Sequence, residues 1–236
     1  MPKQEHIVSS FDRDLEGIQT RIMRMGGMVE EAIANASTAL NTRDLELAQA
    51  VRAGDRAIDA AEMDLNEEAA RIIALRQPAA SDLRTLLSVF RVSGNLERIA
   101  DYAKNIAKRS ESVIELPAIP GDTAALKRMA RQVEMMLKDV LDAYIQRDAD
   151  LAEDVRQRDL EVDQMYSALF REYLTHMMED PRHITTCMHL HFMAKNIERM
   201  GDHVTSVAEQ VIYLVTGEIP GDERLKHNDT PFIQGA

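Results

Sequence analysis

Apolar positions recur three and four residues apart along most of the chain. This spacing predicts amphipathic α-helices, each of which buries one apolar stripe. No segment alternates apolar and polar positions at period two with Val, Ile and Thr, so no β-strand is predicted. The clearest stripe lies in the first half of the chain and consists of Leu83, Leu86, Leu87, Phe90, Leu96, Ile99, Ala103 and Ile106.

Prolines, glycines and polar turns divide this pattern into six predicted helices. Pro78 and Pro181 interrupt helical stretches, and residues 116–122 (Leu-Pro-Ala-Ile-Pro-Gly-Asp) form the strongest linker signal. Gly217 is expected to end the last helix, because glycine adopts the left-handed conformation that closes many helices. The predicted helices span 5–41, 44–77, 79–115, 122–146, 149–179 and 182–216.

The two halves of the chain repeat one another. Charged residues match at a fixed register, which the shared periodicity of helices does not by itself produce. We therefore predict an all-α fold of two tandem, similar three-helix bundles, with domains at 1–116 and 121–217 and a polar tail at 218–236. The matched pairs include Arg43 with Arg147, Asp44 with Asp148, Asp55 with Asp159, Asp59 with Asp163, Asn95 with Asn196, Glu97 with Glu198 and Asp101 with Asp202.

The composition of the chain excludes several classes of partner and several kinds of site. The 236 residues carry 40 acidic and 28 basic side chains, a net charge of −12, which disfavours nucleic acid and anionic lipid as partners. The single cysteine excludes an intramolecular disulfide framework and a cysteine-based zinc site. The N-terminus does not resemble a signal peptide, and no apolar run approaches 20 residues, so we expect a cytoplasmic protein without membrane insertion.

Acidic residues four positions apart recur at matching places in the two halves. Residues at this spacing share a helix face, and clustered carboxylate oxygens are ligands for hard cations. A single acidic pair would indicate only a solvated face, since 40 acidic residues produce several such pairs by chance. Recurrence in both halves favours metal binding and leaves the solvated face open. The pairs are Asp55 with Asp59, Glu97 with Asp101, Asp159 with Asp163 and Glu198 with Asp202.

Two other residues are further candidate ligands. Asn105 shares the face of Glu97 and Asp101, and His191 lies two helical turns before Glu198 on one face. No Glu-x-x-His, phosphate-binding glycine loop or nucleophile motif is present, so the sequence predicts no catalytic site.

Two strings carry a resemblance to a known family. They begin Asn-Leu-Glu-Arg-Ile-Ala-Asp at Asn95 and Asn-Ile-Glu-Arg-Met-Gly-Asp at Asn196. They resemble the paired signature of the PhoU family, regulatory proteins of phosphate transport, and the resemblance covers nearly the whole chain. It implies a negative regulator of phosphate uptake and of the phosphate-starvation response.

The same resemblance implies partners and cofactors. The implied partners are the ATPase subunit of the phosphate ABC transporter, a phosphate-sensing histidine kinase and a second copy of the chain in a homodimer. Recruitment to the inner face of the membrane would follow from the first two. The family also implies metal ions (Fe, Mn, Mg or Zn) on the eight paired carboxylates. The family often has Asn where this chain has Ser206, which predicts a weaker second site.

Two alternatives to a metal-binding adaptor are a metal-free helical scaffold and a carboxylate-bridged di-metal oxidase. The metal-free scaffold predicts that substitutions of these carboxylates leave the metal content unchanged. The second is disfavoured by the missing Glu-x-x-His motifs.

Overall fold

The computed structural model describes residues 3–78, 80–116, 119 and 122–221, with side chains from residue 11 onward except that of residue 122. Over these ranges the chain forms six α-helices and one 3₁₀ turn, and no strand. Each predicted segment coincides with one helix, and the ends differ by no more than two residues. The helices are α1 (Lys3–Thr42), α2 (Leu45–Arg76), α3 (Ala80–Ile114), α4 (Asp122–Gln146), α5 (Ala149–Glu179) and α6 (Ile184–Thr216), with the 3₁₀ turn at Pro181–His183.

The turn between the first and second helices has the same geometry in both halves. Arg43 and Arg147 adopt left-handed backbone conformations, with φ of 55° and 54°. The residue after each one caps the next helix: an Oδ1 of Asp44 accepts from the Leu47 N–H at 2.9 Å, and Asp148 does the same for Leu151 at 3.0 Å. The duplication seen in the sequence is therefore present in the backbone.

The remaining helix ends also follow the sequence signals. Gln77 closes α2 in a left-handed conformation directly before Pro78. Asp180 caps the 3₁₀ turn by accepting from the Arg182 N–H at 2.9 Å. Gly217, at φ 83°, closes α6 by donating its N–H to the Tyr213 carbonyl, as predicted.

The six helices form two three-helix bundles that pack against each other. Helices α1, α2 and α3 form the first bundle, and α4, α5 and α6 the second. The bundles meet along α3 with α6 and along α1 with α4. Leu, Ile, Val, Ala and Met fill one continuous core, which includes Ile119 of the linker. The prediction that Leu87 belongs to the buried stripe is wrong, because this residue is 50% exposed.

Polar contacts join the two halves along α3 and α6. Nδ1 of His203 lies 2.8 Å from Oδ1 of Asn95, and the His203 ring lies against that of Tyr102. The guanidinium of Arg84 lies over the Tyr213 ring and 3.5 Å from the Tyr213 carbonyl oxygen. The helices that carry the Glu-Arg-x-x-Asp strings are thus the central pair of the molecule. None of the described helices is long and apolar enough to span a membrane.

Candidate functional site: two carboxylate faces

The predicted carboxylates of the first half meet where α2 packs on α3. Lys104 of α3 joins them: its Nζ lies 2.6 Å from Oδ2 of Asp55 and 2.8 Å from Oδ1 of Asp101. The Asp55 side chain is only 7% exposed, so its charge depends on this ammonium group. The contact raises the pKa of Lys104, since both carboxylates stabilise its charged form.

The rest of this face carries negative charge with little compensation. Burial raises the pKa of Glu97, and the charges of Glu62, Asp101 and Asp59 raise it further. The guanidinium of Arg98 opposes this effect from 3.6 Å. The four predicted residues of the first half therefore lie on one face, which Glu62 extends. We call this set the first carboxylate face: Asp55, Asp59, Glu62, Glu97 and Asp101.

In the second half, Glu198 pairs with a lysine through only one of its two carboxylate oxygens. Its Oε1 accepts from Nζ of Lys195 at 2.6 Å, while its buried Oε2 has no hydrogen-bond partner among the described residues. Burial raises the pKa of Glu198, Lys195 lowers it, and the charges of Asp202 and Asp163 raise it. We call the following set the second carboxylate face: Asp159, Asp163, Glu198 and Asp202.

Close approach of α5 and α6 depends on a small residue beside Asp159. A Cβ atom on Gly201 would lie 2.8 Å from Oδ1 of Asp159, a distance that side chains do not tolerate without a shift. Asp159 is itself buried, at 7% exposure. Gly201 therefore lets α6 lie directly against this carboxylate.

The matched residues Asn105 and Ser206 behave differently. Nδ2 of Asn105 donates to Oδ2 of Asp101 at 3.2 Å, so the amide holds that carboxylate. The hydroxyl of Ser206 instead donates to the backbone carbonyl of Asp202 at 3.0 Å. The second face thus lacks the side-chain contact that Asn105 provides in the first.

His191 lies in an aromatic cluster. Its ring centroid is 5.7 Å from that of Tyr166, 5.3 Å from Phe170 and 5.8 Å from Phe192. Burial lowers the pKa of His191, and the charge of Lys195 adds to the effect, so the neutral imidazole is favoured. Its role as a ligand stays a prediction.

Sequence reasoning missed three charged residues of the two faces. Lys104 lies three positions after Asp101, and Lys195 three before Glu198, a spacing that places each pair on one helix face. Glu62 follows Asp59 at the same spacing on α2. Each spacing is visible in the sequence, but it indicates only a shared helix face and not the ion pair that forms there.

The donor set suits a hard cation, because it consists of carboxylate oxygens and includes the buried, unpartnered Oε2 of Glu198. At their observed separation, these carboxylates do not form a coordination site. Within the described ranges, no three His, Cys, Asp or Glu side chains are arranged to hold a metal ion. The ammonium groups of Lys104 and Lys195 lie where a cation would neutralise the carboxylates.

Comparison with known proteins identifies relatives along the whole chain. The family model for the PhoU domain matches residues 22–110 and 126–211, one match in each half. A Rhizobium meliloti (strain 1021) protein named phosphate-specific transport system accessory protein PhoU homolog is 46% identical over 229 residues, covering 97% of this chain and 96% of that protein. A protein of the same name from Caulobacter vibrioides (strain NA1000 / CB15N) is 45% identical over 222 residues, covering 94% and 96%.

Solved structures show the same architecture. The crystal structure of PhoU from Pseudomonas aeruginosa matches with a TM-score of 0.85 at 41% identity, over 88% of this chain and all of that one. The structure of the phosphate transport system regulatory protein PhoU from Streptococcus pneumoniae matches with a TM-score of 0.83 at 29% identity, over 89% and 99%.

Proposed function

Because the chain belongs to the PhoU family, we propose that it is the accessory protein of a phosphate-specific transport system and restrains phosphate uptake and the phosphate-starvation response. The observation that carries this proposal is the pair of Glu-Arg-x-x-Asp strings, one on each of the central helices α3 and α6. Relatives that bear the accessory-protein name align over almost the whole length of both chains. We therefore propose the accessory role for both bundles together and not for one of them alone.

The proposed mode of action is that of a non-enzymatic adaptor in the cytoplasm. Its surface would contact the ATPase subunit of the phosphate ABC transporter and a phosphate-sensing histidine kinase, and so report the state of one to the other. It would reach the inner face of the membrane through these partners. We also propose a homodimer, and light scattering coupled to gel filtration would give its mass directly.

Affinity capture tests the adaptor role. The tagged chain is expressed in phosphate-replete cells that also produce the transporter ATPase subunit and the kinase. We expect both partners to be recovered with the wild-type chain and neither with an unrelated helical protein of similar charge. Recovery of neither partner would overturn the proposed role.

Metal binding on the carboxylate faces is the finer part of the proposal. Asp55, Asp59, Glu97 and Asp101 would hold a cation in the first half, and Asp159, Asp163, Glu198 and Asp202 in the second. A bound cation would supply positive charge that brings the paired helices to a fixed spacing. Lys104 and Lys195 would move off the carboxylates to make room.

A metal-free helical scaffold is the second candidate, and the Lys104 bridge between Asp55 and Asp101 favours it. In this alternative the ammonium groups provide the permanent neutralising charge. Metal analysis of protein purified without chelators separates the two candidates. The metal-binding candidate predicts bound metal that falls by about half in Asp101→Ala and in Asp202→Ala, whereas the scaffold predicts background levels in all three proteins.

A further inference from the structure

Exposed apolar side chains form a strip on α5 and α6, where the two helices approach the turn that joins them. Ile184, Met188 and Phe192 follow one another at intervals of four residues, so they share one face of α6. Leu174 and Met178 have the same spacing on α5. Met178 is 85% exposed, and the other four residues are between 39% and 45% exposed. We call these five residues the apolar strip.

The aromatic cluster around His191 joins the two helices beneath the strip. The ring centre of His191 lies 5.3 Å from that of Phe170 on α5 and 5.8 Å from that of Phe192 on α6. Helices α5 and α6 pack against each other and are joined only by the short turn at Pro181–His183. Single exposed apolar residues are normal on a protein surface, whereas a strip that spans two neighbouring helices marks an interaction site.

The first half of the chain lacks most of this strip. At the matching places of α2 and α3, three of the five apolar side chains are replaced by alanine or arginine, and two by leucine. The matched pairs are Leu174 with Ala70, Met178 with Ala74, Phe192 with Arg91, Ile184 with Leu83 and Met188 with Leu87. Folding of a three-helix bundle therefore does not require the strip, and this surface is particular to the second half.

Two arginines border the strip, one on each side. Cζ of Arg109, on α3, lies 4.5 Å from the ring centre of Phe192. Arg171 is exposed on α5 three positions before Leu174, a spacing that places both on one side of the helix. Neither arginine forms an ion pair within the ranges that the structure describes. Both guanidinium groups are therefore available to carboxylates of a partner.

The size of the strip fits one helix. From Ile184 to Phe192 it runs about 12 Å along α6, the length over which a bound helix presents apolar side chains on two successive turns. Two adjacent helices give it a width of about 20 Å. Its area is thus well below the roughly 800 Å² that each copy buries in a stable dimer. A second copy docked about a two-fold axis would also bring the same two arginines to the interface.

We propose that the apolar strip binds an amphipathic helix of a partner protein, whose flanking carboxylates pair with Arg109 and Arg171. The inference rests on the proposed adaptor role, because it assigns to that role one binding surface. An anionic lipid surface is a poorer occupant, since the chain carries a net charge of −12.

Fluorescence anisotropy of the full-length protein with two labelled synthetic peptides tests the chemistry of the site. Both peptides are 18-residue amphipathic helices with the same leucine stripe, flanked by glutamate in one and by lysine in the other. We expect saturable binding of the glutamate peptide and at least tenfold weaker binding of the lysine peptide. Equal affinity for the two peptides, or no binding of either, would overturn the proposal.

Two double variants test the contacts. Leu174→Ser with Met188→Ser should weaken binding of the glutamate peptide at least tenfold. Its matched control is Met63→Ser with Leu75→Ser, two exposed apolar residues of α2, which should bind like the wild type. Arg109→Glu with Arg171→Glu should reverse the preference between the two peptides. Unchanged affinity in the first variant would overturn the proposal, and circular dichroism establishes that each variant is folded.

Affinity capture with the Leu174→Ser, Met188→Ser variant separates this inference from the adaptor role. We expect the variant to recover at least tenfold less of the transporter ATPase subunit or of the kinase than the wild type does. Equal recovery of both partners would overturn the docking surface and leave the adaptor role intact. Recovery of neither partner by the wild type would overturn the adaptor role, and the peptide titration would still decide whether the strip binds a helix.

Two further measurements test the other occupants. A wild-type dimer that becomes a monomer in the Leu174→Ser, Met188→Ser variant, measured by light scattering, would assign the strip to a second copy and overturn the proposal. Sedimentation with vesicles of phosphatidylcholine and phosphatidylglycerol that is lost in the same variant would assign it to lipid and also overturn the proposal. We expect neither result.

Discussion

Nζ of Lys104 lies 2.6 Å from Oδ2 of Asp55, so one ammonium group ties α3 to a buried carboxylate of α2. The second half has Thr205 at the place that matches Lys104, and its ammonium comes instead from Lys195 on another turn of α6. Both halves thus bring one lysine to their carboxylates, from different positions.

Replacing Lys104 by Met should destabilise the protein in chelator by about 2 kcal/mol. The variant leaves buried Asp55 without its charged partner, and the cost stays below that of a fully buried pair because Lys104 is one-third exposed. In a chain of this size, that cost lowers the Tm by about 4–8 °C. Lys108→Met, an exposed site one turn further along α3, is the control and should change Tm little.

The same variant also reports on cation binding. Without the ammonium group, a divalent cation becomes the available neutralising charge for Asp55 and Asp101, so Mn²⁺ should raise the Tm of Lys104→Met more than that of the wild type. Asp55→Asn in the same chain should remove this difference. An identical response of Lys104→Met and wild type to Mn²⁺ would count against exchange of ammonium for metal.

Gly201→Ala should destabilise the protein by about 1–2 kcal/mol. Alanine ordinarily gains about 1 kcal/mol over glycine in a helix, but here its Cβ would lie 2.8 Å from Oδ1 of buried Asp159 and force α6 away from α5. Gly94→Ala is the matched control on α3, where the nearest atom is Oε1 of Glu62 at an ordinary 3.6 Å. Urea unfolding of the two variants should shift in opposite directions, and a stabilised Gly201→Ala would show that the contact is not tight.

Glu198→Gln should stabilise the metal-free protein at neutral pH. Because burial raises the pKa of Glu198, its protonated form contributes stability that is present below the unfolded-state pKa of about 4.3 and is lost as the pH rises through the folded-state pKa. Gln keeps the neutral form at every pH. The Tm of the variant should therefore exceed that of the wild type by an amount that grows from pH 4 to pH 7.

A thermal melt series in chelator from pH 4 to pH 8 measures this difference, with Glu172→Gln on the exposed face of α5 as the control. If Glu198→Gln is instead less stable than the wild type at pH 7, the contact with Lys195 outweighs the cost of burial. Added Mn²⁺ should reverse the order of the two proteins, since Gln lacks the carboxylate that a hard cation prefers.

Local signals were enough to predict the helices and their duplication. The turns at Arg43 and Arg147 follow from capping aspartates that recur at matching positions, and Gly217 ends α6 because glycine accepts a positive φ. The spacing of Glu97 and Asp101 likewise placed both on one helix face, which the structure brings next to α2. Such features depend on neighbours within a few residues, which a sequence displays directly.

Contacts between helices could not be predicted from the sequence. Nothing in the sequence states that Lys104 reaches Asp55 across the α2–α3 interface, or that His203 reaches Asn95 in the other half, because these distances depend on how the helices pack. The exposure of Leu87 has the same origin, since a helical stripe does not define the width of the contact that buries it.

We propose that each half carries a carboxylate face that holds a hard cation. A crystal structure of the full-length protein grown with Mn²⁺, with anomalous scattering recorded to locate the metal, would test this proposal. We expect one anomalous site or cluster at Asp55, Asp59, Glu97 and Asp101, and another at Asp159, Asp163, Glu198 and Asp202, with the ammonium groups of Lys104 and Lys195 displaced. Anomalous peaks absent from both faces, with both lysines still bound to their carboxylates, would contradict it.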